Sequence, residues 1–181
     1  MSTDKIVVLV GESGCGKTTV TKSLNKRGFN IIKSYTTRRP RYKGEEGHIF
    51  VDDIPEDRTD VVSFDKYDGN YYWAYRSQYQ NLGLTAYTLE PQGAYKVKDD
   101  IHDAEIIIIY LKVDTTERLN RMLGREKDYN LFNPNHEDIY KRVLNRIAND
   151  RDAFKVVKAD YIIDGHMSIE EITNTIISLI T

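Results

Sequence analysis

Cysteine is nearly absent from this sequence: Cys15 is the single one in 181 residues. An internal disulfide and a four-cysteine metal site are therefore excluded, and the chain suits a reducing compartment, so a cytoplasmic location is expected. An excess of charge of either sign is also lacking. The 26 Lys and Arg nearly balance the 28 Asp and Glu, for a formal charge of −2, so no global basic field points to nucleic acid or an anionic membrane as a partner. Any anion site has to be local. Long apolar runs are missing as well: the stretch before Gly11 and the tail Ile176 to Ile180 are too short for a membrane span or a secretory core. Both read as elements of a soluble fold. There is no internal repeat and no low-complexity segment. His48, His102, His136 and His166 have neither metal-ligand nor triad spacing, and the last three read as structural or surface residues. At this length one domain with a small insertion fits, while two unrelated large domains do not.

What is present is an alternation. Ile6 to Val10 is continuously apolar, as a strand buried on both faces would be, and a helical pattern runs from Lys17 to about Arg27. Leu84 to Leu89 is followed by a polar helix from Gln92. Ile106 to Leu111 is followed by a helix opened by Asp114 with Glu117 three residues on, and Tyr161 to Ile163 by a helix opened by Ser168 with Glu171. Strands alternating with helices predict an α/β fold with a mainly parallel sheet covered on both sides. Two stretches interrupt the rhythm. Residues 35–82 are rich in Tyr, Gly and charge and predict a small inserted antiparallel module. Residues 121–140, with Gly124, Asn130, Asn133 and Pro134, predict a flap between two helices. The core is then 1–34, 83–120 and 141–181 of a single domain.

Between the first strand and first helix, Gly11-Glu12-Ser13-Gly14-Cys15-Gly16-Lys17-Thr18 matches G-x-x-x-x-G-K-[ST] at every fixed position. Such a loop turns its backbone N–H groups around a β-phosphate at a helix N-terminus. Lys17 reaches the β and γ oxygens, and Thr18 offers a hydroxyl to Mg²⁺. A turn that only joined strand to helix would have no use for the Lys-Thr pair. We therefore assign residues 11–18, with Thr19, to ATP binding and Thr18 to the metal. Cys15 reads as a small residue fitting a tight loop, since no second cysteine can resolve an oxidised thiol.

After a predicted strand, Ser34-Tyr35-Thr36-Thr37-Arg38-Arg39-Pro40-Arg41 concentrates hydroxyls and guanidiniums, a composition that can grip phosphate through forked donors. Gly69-Asn70-Tyr71-Tyr72 places two phenols on opposite faces of a strand. Read in order as P-loop, Ser34-x-Thr36-Thr37-Arg38-x-Pro40-Arg41, Gly44-Glu45, Gly69-Asn70-Tyr71-Tyr72 and Gln92-Gly93, the chain resembles the guanylate kinase family over nearly its whole length. That resemblance implies a P-loop NTPase three-layer sandwich with an inserted acceptor-binding module and a helical lid. It also implies ATP and Mg²⁺, small-molecule nucleotide substrates, and transfer of the γ-phosphoryl group to GMP or dGMP. Ser34, Arg38, Arg41 and Tyr72 would hold the acceptor's phosphate.

The chain departs from that family where the base would be read. The family's phosphate-binding tyrosine falls near His48, its guanine-reading glutamate on Ser63, and its guanine-contacting serine on Ala74. Glu90 replaces the aspartate of the Asp-x-Asp-x-Gln-Gly step. Asp65, two residues beyond Ser63, is expected on the same face and is one substitute carboxylate; Glu90 is another. These losses leave two further readings open: a kinase of another nucleoside monophosphate or of a phosphorylated sugar such as a ribose bisphosphate, and a non-catalytic interaction module. The whole Gly16-Lys17-Thr18 speaks against the module.

Arg118, Arg121 and Arg125 fall on one predicted helix, and Arg142 and Arg146 on the next. In each, 121 with 125 and 142 with 146 stand one turn apart. Arginines brought in by a closing lid stabilise charge on a phosphoryl in flight and exclude water. Lys17, Arg38, Arg121, Arg125, Arg142 and Arg146 are thus the candidate catalytic cations. No general base is required, because an acceptor phosphate is already ionised. The acidic stretch Asp52, Asp53, Glu56, Asp57 and Asp60 reads as a solvated loop rather than a metal site.

Overall fold

The structure is a computed structural model and describes residues 4–40, 43–67, 69–129 and 136–180. Five strands, β1 (Asp4–Val10), β2 (Asn30–Ile32), β7 (Leu84–Thr88), β8 (Ala104–Lys112) and β9 (Tyr161–Asp164), form one sheet in the order β2-β7-β1-β8-β9. Every neighbouring pair is parallel. The central β1 explains why its sequence does not alternate: Ile6 through Val10 are all fully buried, because both faces of the sheet are covered.

The period of two still sorts the side chains. Ile6, Val8 and Val10, with Ile106, Ile108 and Tyr110 of β8, pack with Ala94 and Val97 of α2 (Pro91–Asp100) and Phe154. Val7 and Leu9, with Ile107, Ile109 and Leu111, pack with Val20 and Leu24 of α1 (Lys17–Lys26) and Ile172, Ile176 and Ile180 of α5 (Ile169–Ile180). The helix starts read from sequence are in place. Asp114 Oδ1 accepts the N–H of Glu117 at 3.0 Å. Ser168 and Glu171 close a reciprocal capping box, each side chain on the other's N–H at 3.2 and 2.9 Å.

Between β2 and β7 lies a second sheet of β3 (Ser34–Thr36), β4 (His48–Phe50), β5 (Val61–Tyr67) and β6 (Asn70–Tyr75), in the order β4-β3-β6-β5. The expectation of an antiparallel module needs correction at one pair: β3 and β4 run parallel, joined by the long connection through Pro40 and Gly44 rather than by a hairpin. The outer face is aromatic, with Tyr35 stacked on Trp73 and Phe64 tilted against Tyr71 and Trp73. The other face turns Val62 and Ala74 into the main core.

The break expected at Gly124 does not occur. Helix α3 runs from Thr115 to Tyr129 through Gly124, and α4 from His136 to Ala153. A single exposed glycine costs a helix only about 1 kcal/mol, and Arg118 and Met122 hold the buried face of α3 in place. The rest of the expected flap, residues 130–135, lies outside the described residues. No described helix is long and apolar enough to cross a membrane.

Candidate active site

The Gly-rich loop follows β1 at the carboxyl edge of the parallel sheet, where α/β folds bind ligands. Two of its glycines are obligatory for geometric reasons. Gly16 caps α1 at φ 101°, in the left-handed region. Gly14, at φ 87°, passes so close to α3 that a Cβ there would lie 2.8 Å from the Arg118 carbonyl oxygen. Lys17 Nζ donates to the carbonyl of Gly11 and lies 3.4 Å from that of Glu12. The ammonium therefore spans the mouth of the loop, and Thr18 and Thr19 are exposed beside it.

Two helices fix the loop from outside. Asp150 of α4 accepts the Ser13 N–H at 2.8 Å and pairs with Arg118 of α3 at 3.1 Å, while Arg118 Nη1 also donates to the Ser13 carbonyl at 3.3 Å. Both charged groups are buried, at 8 % and 4 % exposure. Sequence reading weighed Arg118 only as a helix arginine and passed over Asp150. The signal for Asp150 is an acid in an apolar helical stripe, Ile139, Val143, Ile147, Asp150, Phe154.

Of the candidate lid arginines, Arg121 reaches the loop. It donates to the Cys15 carbonyl at 3.5 Å and to the Gly165 carbonyl at 3.2 Å, and it is steadied by Glu117 at 2.7 Å. Arg146 acts electrostatically on Glu90, which opens α2. Glu90 is exposed. Desolvation there raises its carboxyl above the ordinary value; Lys17 and Arg146 oppose this, and Asp150 and Glu12 reinforce it. Arg125 and Arg142 are exposed, one turn from Arg121 and Arg146 on the same helices.

A second cluster lies on the inserted sheet. Arg38 makes a two-pronged pair with Glu45, at 2.9 and 3.2 Å, and stacks its guanidinium over Phe50 at 5.2 Å. Burial works against the Arg38 charge, but Glu45, together with Tyr72, outweighs it and holds the pKa above the ordinary arginine value. Arg38 Nε is buried with no partner among the described residues. Tyr72 stands opposite Thr36, whose Oγ1 accepts the Arg38 N–H at 3.1 Å, and packs edge-on against His48 at 5.9 Å. Arg38, His48 and Tyr72 are thus brought together; Arg41 lies outside the described residues. Glu45, part of a motif in the sequence but not assigned a role there, is the group that orients Arg38.

The positions expected to read a base, and Ser34, which was expected to hold the acceptor's phosphate, are arranged differently from one another. Ser34 and Ser63 are buried, and Ser34 Oγ lies 2.7 Å from the phenol oxygen of Tyr87, a residue that sequence reading missed because it falls inside an apolar strand. Burial pushes the Tyr87 phenol up to about 12, with the two serines working the other way, so it stays neutral. A bulge between Val62 and Asp65 puts Asp65 opposite Tyr72, exposed, with its Oδ1 on the N–H of Lys66. The acidic residues 52, 53, 56, 57 and 60 are all exposed.

His166 forms a third cluster. Its two ring nitrogens lie 2.6 Å from Asp164 Oδ1 and 2.7 Å from Asp114 Oδ2. Ionised carboxylates only accept, so the ring has to donate from both sides, as the imidazolium. Asp164 first and Asp114 second hold its pKa above the ordinary value. With the folded value raised, the stabilisation is fully present below the unfolded value of 6.5 and is lost as pH rises through the folded one. We expect the thermal midpoint of His166→Asn to lie below that of wild type at acidic pH, and the gap to close as pH rises through the raised folded value of His166. A gap that widens with pH would contradict this assignment.

No protein-family model matches this chain, and no curated protein does. Among solved structures, a guanylate kinase from Anaplasma phagocytophilum is similar, with a TM-score of 0.60 and 21 % identity over 99 % of this chain and 85 % of that one. The structure of APE1195 overlaps with a TM-score of 0.49 and 14 % identity, over 99 % of this chain and 96 % of its own. The fold is therefore P-loop NTPase-like and is shared with a guanylate kinase.

Proposed function

We propose that this chain is an ATP-dependent nucleoside monophosphate kinase that accepts GMP or dGMP. The observation that carries the reading is the pairing of an intact phosphate loop with a separate arginine grip on an inserted sheet, two anion sites in one fold. One suits a triphosphate and the other a phosphorylated acceptor. On binding ATP, Lys17 exchanges the Gly11 carbonyl for β and γ oxygens, and the N–H groups at the start of α1 add their dipole. Arg38 holds the acceptor phosphate, with Glu45 fixing the plane of the guanidinium and Tyr72 alongside. Arg121 and Arg146 neutralise charge on the phosphoryl group in flight, and Arg125 and Arg142 join them on lid closure.

Thr18 is exposed beside Lys17, and with Glu90 it provides hard oxygen donors of the kind Mg²⁺ takes while keeping several waters. The residues that would hold the ion are Thr18 and Glu90, and it would supply positive charge to the triphosphate oxygens.

ADP release measured against GMP, dGMP, AMP, dTMP, CMP and a ribose bisphosphate tests the reading. Stimulation by monophosphates, with GMP or dGMP among the accepted ones, supports it. A second reading, a sugar-phosphate acceptor, is favoured by the lack of a carboxylate at Ser63, and it requires stimulation by the ribose bisphosphate alone. Absence of ADP release with every acceptor rejects both and leaves the interaction module.

Division of labour gives a further expectation. Arg38→Ala would strand the buried Glu45 carboxylate, so Arg38→Lys is the cleaner variant: it keeps the charge opposite Glu45 and loses the fork. Acceptor KM should rise roughly tenfold or more, the loss of about 1.5–3 kcal/mol typical of a charge-assisted bond, with ATP KM unchanged. Equal rises for both substrates would contradict the assignment.

A further inference from the structure

Arg121 is held at the phosphate loop by a closed circuit of contacts that runs through His166. From α3, Arg121 Nε donates to Glu117 Oε1 at 2.7 Å, and its two other nitrogens reach the carbonyls of Gly165 at 3.2 Å and Cys15 at 3.5 Å. Asp114, just before that helix, accepts the Glu117 N–H with Oδ1 and faces His166 Nε2 with Oδ2 at 2.7 Å. His166 follows Gly165 in the chain, which closes the circuit.

One side of the circuit is pinned to the sheet. Asp164 stands in register with Lys112, the Gly165 N–H donates to the Lys112 carbonyl at 2.9 Å, and a Cβ on Gly165 would lie 3.5 Å from the Cys15 carbonyl oxygen. The other side, the start of α3, is tied across to this loop by Asp114 and by Arg121 itself. A change in the first tie is therefore felt by the second.

That first tie depends on a proton. Ionised carboxylates only accept, so the ring bridges Asp164 and Asp114 as the imidazolium, and after losing a proton it has a single N–H to give. It keeps Asp164, its neighbour in the same loop, where the His166 backbone N–H already bonds Oδ1 at 3.0 Å and the ring lies at 2.6 Å. Toward Asp114, 52 positions away, it then turns a lone pair against a carboxylate. The other charged groups around the ring are Lys112 of β8, which lines the same recess, and, at the start of α5, Glu170 beside Arg27 and Glu171 on the Ser168 N–H.

We propose, resting on the kinase reading above, that His166 is a positioning residue for Arg121: as the imidazolium it ties the start of α3 to the loop of Gly165 and so aims the guanidinium at the transferring phosphate. Transfer is then fastest with the ring charged and slows as the proton leaves.

Losing a fixed donor at a reacting group costs about 10²–10³ in rate, and loosening one costs less. On that scale kcat should fall roughly threefold to tenfold as pH rises from 6.5 through the raised His166 value, with acceptor KM unchanged. Asp114→Asn separates positioning from structure. Asparagine caps a helix as well as aspartate does, so Glu117 keeps its partner, and its amide donates to the lone pair of a neutral ring. The alkaline fall in kcat should vanish in this variant and the faster rate should persist, while His166→Ala should hold the slower rate throughout. The Cζ resonance of isotope-labelled Arg121 reads the coupling without activity: in wild type it should move with the midpoint of the His166 ring, and in Asp114→Asn it should stay still.

A kcat that does not fall over this range, a fall that persists in Asp114→Asn, or an Arg121 signal blind to the His166 titration each overturns the proposal. Failure of the kinase reading looks different: no ADP is released at any pH, while the Arg121 signal still follows the His166 ring.

Discussion

Replacing Lys17 with alanine is expected to slow phosphoryl transfer roughly a thousandfold while the fold survives. The size follows from the role proposed for the ammonium: a fixed cation that met charge building on the β and γ oxygens in the transition state would be worth several kcal/mol. The survival of the fold follows from where it sits. Lys17 is half-buried at the first position of α1, and its Nζ contacts loop carbonyls and the Cys15 sulfur. The core contacts of α1 are made by Val20 and Leu24, one and two turns further along the helix, and do not include Lys17. Initial rates at saturating ATP and acceptor, with a melting curve of the same sample, check both halves. A variant that keeps more than about a tenth of wild-type turnover would show that the loop does not serve catalysis.

The largest effect on stability should come from Asp150→Ala. It would leave the Arg118 guanidinium buried with no carboxylate opposite it and remove the acceptor of the Ser13 N–H. Breaking one side of a buried pair typically costs about 3–5 kcal/mol, a large part of the roughly 5–15 kcal/mol that holds a domain together. Removing both charges in Asp150→Ala with Arg118→Leu should recover much of that loss, since a buried pair contributes little beyond an apolar replacement. Urea unfolding of wild type, single and double variants measures it. A single variant less than about 1 kcal/mol below wild type, or a double variant worse than the single, would contradict a buried, mutually dependent pair.

Much of the fold was legible because it rests on local signals. Ile6 to Val10 read as a two-sided strand, and the Asp114 and Ser168 caps announced α3 and α5 through side chains that bond their own helix starts. The phosphate loop was legible for the same reason, since its glycines and Lys17 act within eight residues. Long-range pairing was not. Nothing local shows that β3 would run parallel to β4, or that Asp150, 137 residues from Ser13, would hold the loop. The acceptor side shows the same limit. Arg38 and Tyr72 are visible as residue types, but the Ser34 to Tyr87 contact spans 53 positions and joins two sheets, so a tyrosine inside an apolar strand gave no sign of it. The helix through Gly124 was misread because packing of Arg118 and Met122 outweighed one weak helix former.

The central claim, that phosphoryl is moved between two bound nucleotides rather than released to water, is tested most directly by following the label. ATP carrying an isotope in its γ-phosphate is incubated with the protein, Mg²⁺ and GMP or dGMP, and the products are separated. The account predicts that the label appears in the corresponding nucleoside diphosphate, in amounts equal to the ADP formed, and that Lys17→Ala abolishes it. Label found only in inorganic phosphate, or retained in ATP whatever monophosphate is supplied, would contradict it.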